Sequence, residues 1–160
     1  MPEIVELSLV VNGRGRTVLV EPRETLADVL RERLGLTGLK VSCDVQVCGA
    51  CTVLVDGLAV SACTYLAADA GGREVLTVEG LARDGELSPL QQAFIDAAAF
   101  QCGFCTPGML MIATALLAEN PAPTREAVVA GIGGNLCRCT GYVPIVDAVL
   151  AAAAASRPDR

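Results

Sequence analysis

Over the opening stretch, apolar Val5, Leu7 and Leu9 alternate with Glu6, Ser8 and Val10, the two-residue period of a strand with one face in a core. Asn12-Gly13 and a second extended run over 17–20 follow, so the chain is predicted to open as a β-hairpin. The period then changes. Leu26, Val29, Leu30 and Leu34 recur at helical spacing behind Thr25 and Asp28, which resemble a capping pair, and Gly35 stands where that helix would stop. Strand-like runs return at 52–55 and 58–61, joined by the Asp56-Gly57 turn, and again at 74–78.

Beyond residue 80 the strand pattern does not return. Residues 80–87 turn polar with Arg83, Asp84, Gly85 and Glu86, which places a domain boundary there and divides the chain into 1–80 and 81–160. Ser88-Pro89 with Gln91 forms a capping box ahead of Leu90, Phe94 and the alanines at 97–99. Thr106-Pro107 repeats the device before Met109, Leu110, Ile112, Ala113, Leu116 and Leu117, and Asn120-Pro121 ends that helix. Thr124 opens a short helix. A last one runs from near Pro144 into the alanines at 151–155, which are helix-forming composition rather than a linker, and the closing Ser-Arg-Pro-Asp-Arg is expected to fray. Strands first and helices second make an α+β chain.

The 160 residues are 52% hydrophobic but only 3% aromatic, so the core is expected to be filled by small side chains or organised around a cofactor. Net charge is −6, and apart from Lys40 the basic residues are arginines scattered singly, which excludes a stripe for nucleic acid. Early acids and no basic n-region argue against a secretory signal, and the longest apolar run, 109–118, is too short to span a bilayer. A cytoplasmic protein is expected.

Eight cysteines without a signal segment point to metal rather than disulfides. The absence of histidine removes mixed Cys/His zinc fingers, Rieske centres and Ser/His or Cys/His nucleophiles. Cys43, Cys48, Cys51 and Cys63 are spaced C-x4-C-x2-C-x11-C, so a curled loop can supply three thiolates and the second hairpin the fourth. Small Gly49 and Ala50 let backbone amides approach the sulfurs. Cys102, Cys105, Cys137 and Cys139 form a second quartet in two close pairs, each ahead of a helix whose N-terminus favours thiolate charge. A tetrahedral zinc site is the alternative for this second set. Gly131, Gly133 and Gly134 match no phosphate-binding pattern and read as hinge glycines, while Arg138 either tunes the nearby potential or forms a salt bridge.

With both motifs in hand, the chain resembles the iron-sulfur subunit of the molybdenum hydroxylases: the xanthine dehydrogenase, aldehyde oxidoreductase and aerobic carbon monoxide dehydrogenase family. The resemblance covers nearly the whole chain and rests on Cys-Asp-Val-Gln-Val-Cys-Gly-Ala-Cys-Thr-Val-Leu-Val-Asp-Gly at 43–57, Gln-Cys-Gly-Phe-Cys-Thr-Pro-Gly-Met at 101–109 and Cys-Arg-Cys-Thr-Gly-Tyr at 137–142. It implies a β-grasp, plant-ferredoxin-like domain to about residue 80 and then a helical-bundle domain. Each would carry one 2Fe-2S cluster. Gln101 and Cys139 would lie against the molybdopterin of a large subunit, and the first-domain cluster would face FAD on a medium subunit, in a dimer of heterotrimers. Ser42, where a glycine often precedes the first ligand, and Val45-Gln46-Val47, which lacks the frequent glycine or serine, depart from the commonest pattern. Ligand spacing is untouched. An electron-relay subunit, a freestanding ferredoxin-like carrier and a zinc-stabilised interaction module are the three readings, and the extra helical half with its own quartet favours the first.

Overall fold

The computed structural model describes residues 4–156; the tail at 157–160, expected to fray, lies outside the described residues. Strands β1 (Val5–Val11) and β2 (Arg14–Val20) pair antiparallel across Asn12-Gly13, where both residues have positive φ, 51° and 73°. That is the turn whose twist matches the flanking strands. Leu7, Leu9 and Val11 point into the core, and their neighbours point out. The second hairpin, β3 (Thr52–Val55) and β4 (Leu58–Ser61), turns on Asp56 at φ 49° and Gly57 at φ 81° by the same device.

A fifth strand, β5 (Glu74–Leu76), joins the hairpins into one sheet of order β2-β1-β5-β3-β4, parallel to β1 and antiparallel to β3. It is shorter than the 74–78 run predicted. Asn12 intercepts Thr77: Asn12 Nδ2 donates to Thr77 Oγ1 and Thr77 N–H to Asn12 Oδ1, both at 2.9 Å. With its amide taken by a side chain the strand ends, and the chain enters a 3-10 turn, Val78–Gly80.

The predicted helix after β2 also differs in form. Helix α1 (Leu26–Asp28) opens with the expected Thr25/Asp28 capping box, then widens into a π-helical turn, Val29–Arg33, in which Leu34 N–H reaches back to Val29 O at 3.0 Å. Val29 and Leu30 in that turn are both fully buried against the sheet, so packing overrides the 3.6-residue repeat.

Four helices follow: α2 (Pro89–Asp96), α3 (Thr106–Glu119), α4 (Arg125–Gly131) and α5 (Val143–Ala155). Ser88 and Gln91 cap α2 reciprocally, at 3.3 and 2.9 Å. The Thr106 cap expected for α3 is corrected, because the N-cap residue is Cys105 and Thr106 is already helical. A second core gathers Phe94, Met109, Val128, Ile132, Ile145 and Val149. Ala113, Ala148 and Ala152 within it are nearly inaccessible, as the alanine-rich, aromatic-poor composition suggested. Gly131, read as a hinge, closes α4 against Leu116, whose Cδ1 would lie 3.0 Å from any added Cβ. The fold is α+β, with a ferredoxin-like mixed sheet and several helices.

Candidate cluster-binding sites

Cys43, Cys48 and Cys51 sit on the loop ahead of β3, and Cys63 follows β4. Left-handed backbone at Asp44, Gln46 and Gly49, with φ 57°, 59° and 68°, curls this loop into a concave nest. Two amides consequently aim at one sulfur: Val47 N–H and Cys48 N–H donate to Cys43 Sγ at 3.3 and 3.4 Å. For Gln46 that conformation costs on the order of 1–3 kcal/mol, since its Cβ crowds the backbone. Its side chain is held by Thr64, whose hydroxyl donates to Gln46 Oε1 at 3.1 Å.

Cys102 and Cys105 flank a turn at Gly103 (φ 80°) ahead of α3, and Cys137 and Cys139 lie between α4 and α5. Fold brings the two stretches together. Cys139 Sγ lies 3.5 Å from Cys102 Sγ, and Cys105 and Cys137 are within hydrogen-bonding reach of each other. Cys51 meets Cys63 in the first set, and Cys43 meets Cys48. Gln101, beside Cys102, donates its Nε2 to the Cys139 carbonyl at 3.1 Å, so the two residues expected against a pterin touch each other at an exposed position.

The donor chemistry suits iron-sulfur clusters. All eight thiols are free of disulfides, and their closest contacts join them two by two. A two-iron unit takes two thiolates on each iron, which such pairs can supply. Donors to bound sulfur are also in place. The Thr140 hydroxyl lies 3.2 Å from Cys137 Sγ, and the Thr106 hydroxyl, directly after Cys105, is buried without a partner.

Comparison with known proteins agrees with this chemistry. Residues 9–77 match the family model "2Fe-2S iron-sulfur cluster binding domain" and residues 77–150 the model "[2Fe-2S] binding domain". The nicotine 6-hydroxylase small subunit of Paenarthrobacter nicotinovorans is 60% identical over 91% of this chain and 88% of its own length. The xanthine dehydrogenase iron-sulfur-binding subunit of Escherichia coli O157:H7 is 48% identical over 92% and 94%. The crystal structure of quinoline 2-oxidoreductase from Pseudomonas putida 86 superposes with a TM-score of 0.92 at 50% identity, covering 95% of both chains. The chain belongs to the iron-sulfur subunits of the molybdenum hydroxylases. Its relatives are subunits of molybdenum-dependent oxidoreductases, so this subunit serves an oxidoreductase and its role is electron transfer.

Within the iron-sulfur subunit the thiols differ by environment. Burial raises Cys51 to about 11 and Cys105 to about 12. The amides of Val45, Val47 and Cys48 lower Cys43 to about 6. Burial pushes Cys137 up, but the Thr140 hydroxyl and the amides of Thr140 and Cys139 outweigh it and bring the thiol to about 7. Cys102 is lowered by the Phe104 amide and by Cys139, which is raised in turn by Cys102. Cys51 and Cys63 are 2% and 5% exposed, so one half of the first set is anchored in the core, while Cys43, Cys48, Cys105 and Cys137 are half-buried and Cys102 and Cys139 open the second set to the surface.

A groove of 530 Å³ is lined by Cys48 of one set and by Cys105 and Cys137 of the other, with Arg138 at its wall. Arg138 forms no ion pair among the described residues, so the salt-bridge role is not realised there. Sequence reasoning missed Tyr142, whose hydroxyl accepts from Cys137 N–H at 2.9 Å, and Asn135, which joins the two cysteine loops. Tyr142 stands inside the quoted motif and Asn135 two residues before it. No local periodicity marks either one. Among the described residues no helix is long and apolar enough to cross a membrane.

Proposed function

We propose that the chain relays electrons from a molybdopterin centre on a large subunit to FAD on a medium subunit through two 2Fe-2S clusters. Cys43, Cys48, Cys51 and Cys63 hold one cluster; Cys102, Cys105, Cys137 and Cys139 hold the other. The observation that carries this reading is the gathering of eight unpaired thiols into two separate sets, each of two close pairs. The clusters supply reversible one-electron storage when bound. The chain's own residues place thiolates, direct amides and hydroxyls at sulfur, and bury Cys51 and Cys63 of the first set.

The exposed contact between Gln101 and Cys139 supports that edge as the face toward the pterin, with electrons entering at Cys139. The first set then faces the flavin. The two separate hydrophobic cores support division into a β-grasp domain, 1–80, and a helical-bundle domain, 81–160. The relatives' names as subunits support a multi-subunit complex, and we take it to be a cytoplasmic dimer of heterotrimers. Substrate chemistry belongs to the molybdenum subunit, so no residue of this chain is assigned a bond-making role.

The test is metal content of the purified protein together with electron paramagnetic resonance after dithionite reduction. About four irons per chain and two distinguishable two-iron signals are expected. Zinc without iron refutes the relay and leaves a structural module.

A further inference from the structure

Between the two cysteine loops the chain crosses itself, and the crossing is buried. Asn135, 5% exposed, sends Nδ2 to the Gly49 carbonyl at 2.9 Å and to Thr52 Oγ1 at 3.2 Å. The Thr52 hydroxyl donates to the same carbonyl at 2.7 Å. A carbonyl only accepts, so the Asn135 amide can face it in one orientation. Gly49 is left-handed, and an added Cβ would come within 2.8 Å of Asn135 Cα, so the approach needs glycine there. Leu136 follows Asn135 and donates its N–H to the Cys48 carbonyl at 2.9 Å.

That last bond lies between ligands. Cys48 carries a sulfur of the first set, and Cys137, next after Leu136, carries one of the second. The route from Cys48 Sγ to Cys137 Sγ therefore runs through covalent bonds and one hydrogen bond, without a jump through space. The Leu136 side chain is 52% exposed, so its own burial does not pin the amide. Asn135 does, by fastening the preceding residue to Gly49 and Thr52.

We infer that Asn135 is the positioning residue for electron transfer between the two centres: it holds the Leu136 N–H on the Cys48 carbonyl and so keeps the Cys137-to-Cys48 route closed. The inference rests on the two-cluster relay proposed above. One electron leaves the centre of Cys102, Cys105, Cys137 and Cys139, which is oxidised by one, and reaches that of Cys43, Cys48, Cys51 and Cys63, which is reduced by one. No bond breaks and no proton moves. The reductant is the partner's molybdenum centre in turnover and dithionite in the test.

The experiment uses the chain within its purified complex and compares wild type with Asn135→Ala, Asn135→Asp and Thr52→Val. Amide hydrogen exchange at Leu136 should be among the slow class in wild type and roughly tenfold faster in Asn135→Ala, the effect of one net hydrogen bond. Asn135→Asp keeps the shape but presents an acceptor to the Gly49 carbonyl, so it should behave like Asn135→Ala; a purely space-filling role would leave it like wild type. In fully reduced samples the magnetic splitting between the two two-iron signals should shrink, while each signal keeps its own g values. If Asn135→Ala does not assemble, Thr52→Val, which removes one of the two acceptors, should shift exchange and splitting in the same direction by less. Fast Leu136 exchange in wild type, or unchanged exchange and splitting in Asn135→Asp, overturns the inference. Absence of two iron signals in wild type overturns the relay itself, which separates the two failures.

Discussion

Gly108→Ala sets two opposite effects against each other at one atom. Gly108 lies in the first turn of α3, where alanine ordinarily favours a helix over glycine by at most about 1 kcal/mol. Here the new Cβ would run into the Gly49 carbonyl oxygen and stand 3.2 Å from both Ala50 Cα and Asn135 Nδ2. Backbone and a buried amide cannot swing aside as a flexible side chain would, so overpacking of about 1–3 kcal/mol is expected. The clash wins. A net loss of about 1–2 kcal/mol should lower the thermal midpoint by roughly 2–8 °C for a chain of this size. Unfolding that releases clusters is not two-state, so wild type and variant are compared at one scan rate by loss of visible absorbance and of far-ultraviolet dichroism. Gly134→Ala is the control, since no atom lies within 4 Å of its added Cβ and its φ is ordinary; it should be neutral or slightly stabilising. A Gly108→Ala protein as stable as Gly134→Ala would refute the packing of α3 on the first cysteine loop.

Cys105→Ser should abolish one two-iron signal, keep that of the first set and stop substrate-to-flavin electron flow; normal turnover with both signals present would sink the relay. Phe94→Ala removes the largest fully buried side chain of the second core and should cost about 3–5 kcal/mol, read as a large fall in the denaturation midpoint. Asp56 accepts from Glu74 N–H at 3.0 Å and pairs with Arg73, which together hold its carboxyl below the ordinary 3.8. Its contribution is present above that value and is lost as pH falls through the lower folded one, so Asp56→Asn should flatten the acid limb of a plot of stability against pH. An unchanged limb would mean that the exposed pair contributes nothing.

Features carried by neighbouring residues were legible without coordinates. Asn12-Gly13 and Asp56-Gly57 announce tight hairpins because few other pairs accept two positive φ angles, and Ser88 with Gln91 announces a helix start because both partners lie within one turn. The C-x4-C-x2-C spacing could be read for the same reason: the curl of a short loop sets which sulfurs can meet. Local reading erred where a distant partner intervened. Thr77 looked like strand, yet Asn12, 65 residues away, captures both its amide and its hydroxyl and ends β5. A second error was purely local: α3 takes Cys105 as its N-cap, so Thr106 is already helical.

By itself, then, the sequence determined the hairpins, most helix starts and the close cysteine spacings at 43–51, 102–105 and 137–139, all of which follow from steric and hydrogen-bonding preferences acting over a few residues. Only the tertiary structure decided that β5 runs parallel to β1, that Cys102 meets Cys139 across 37 residues, and that Asn135 reaches Gly49 across 86. Such contacts form when packed elements bring remote backbone together, and a lone buried amide leaves no periodic trace along the chain to foretell its partner.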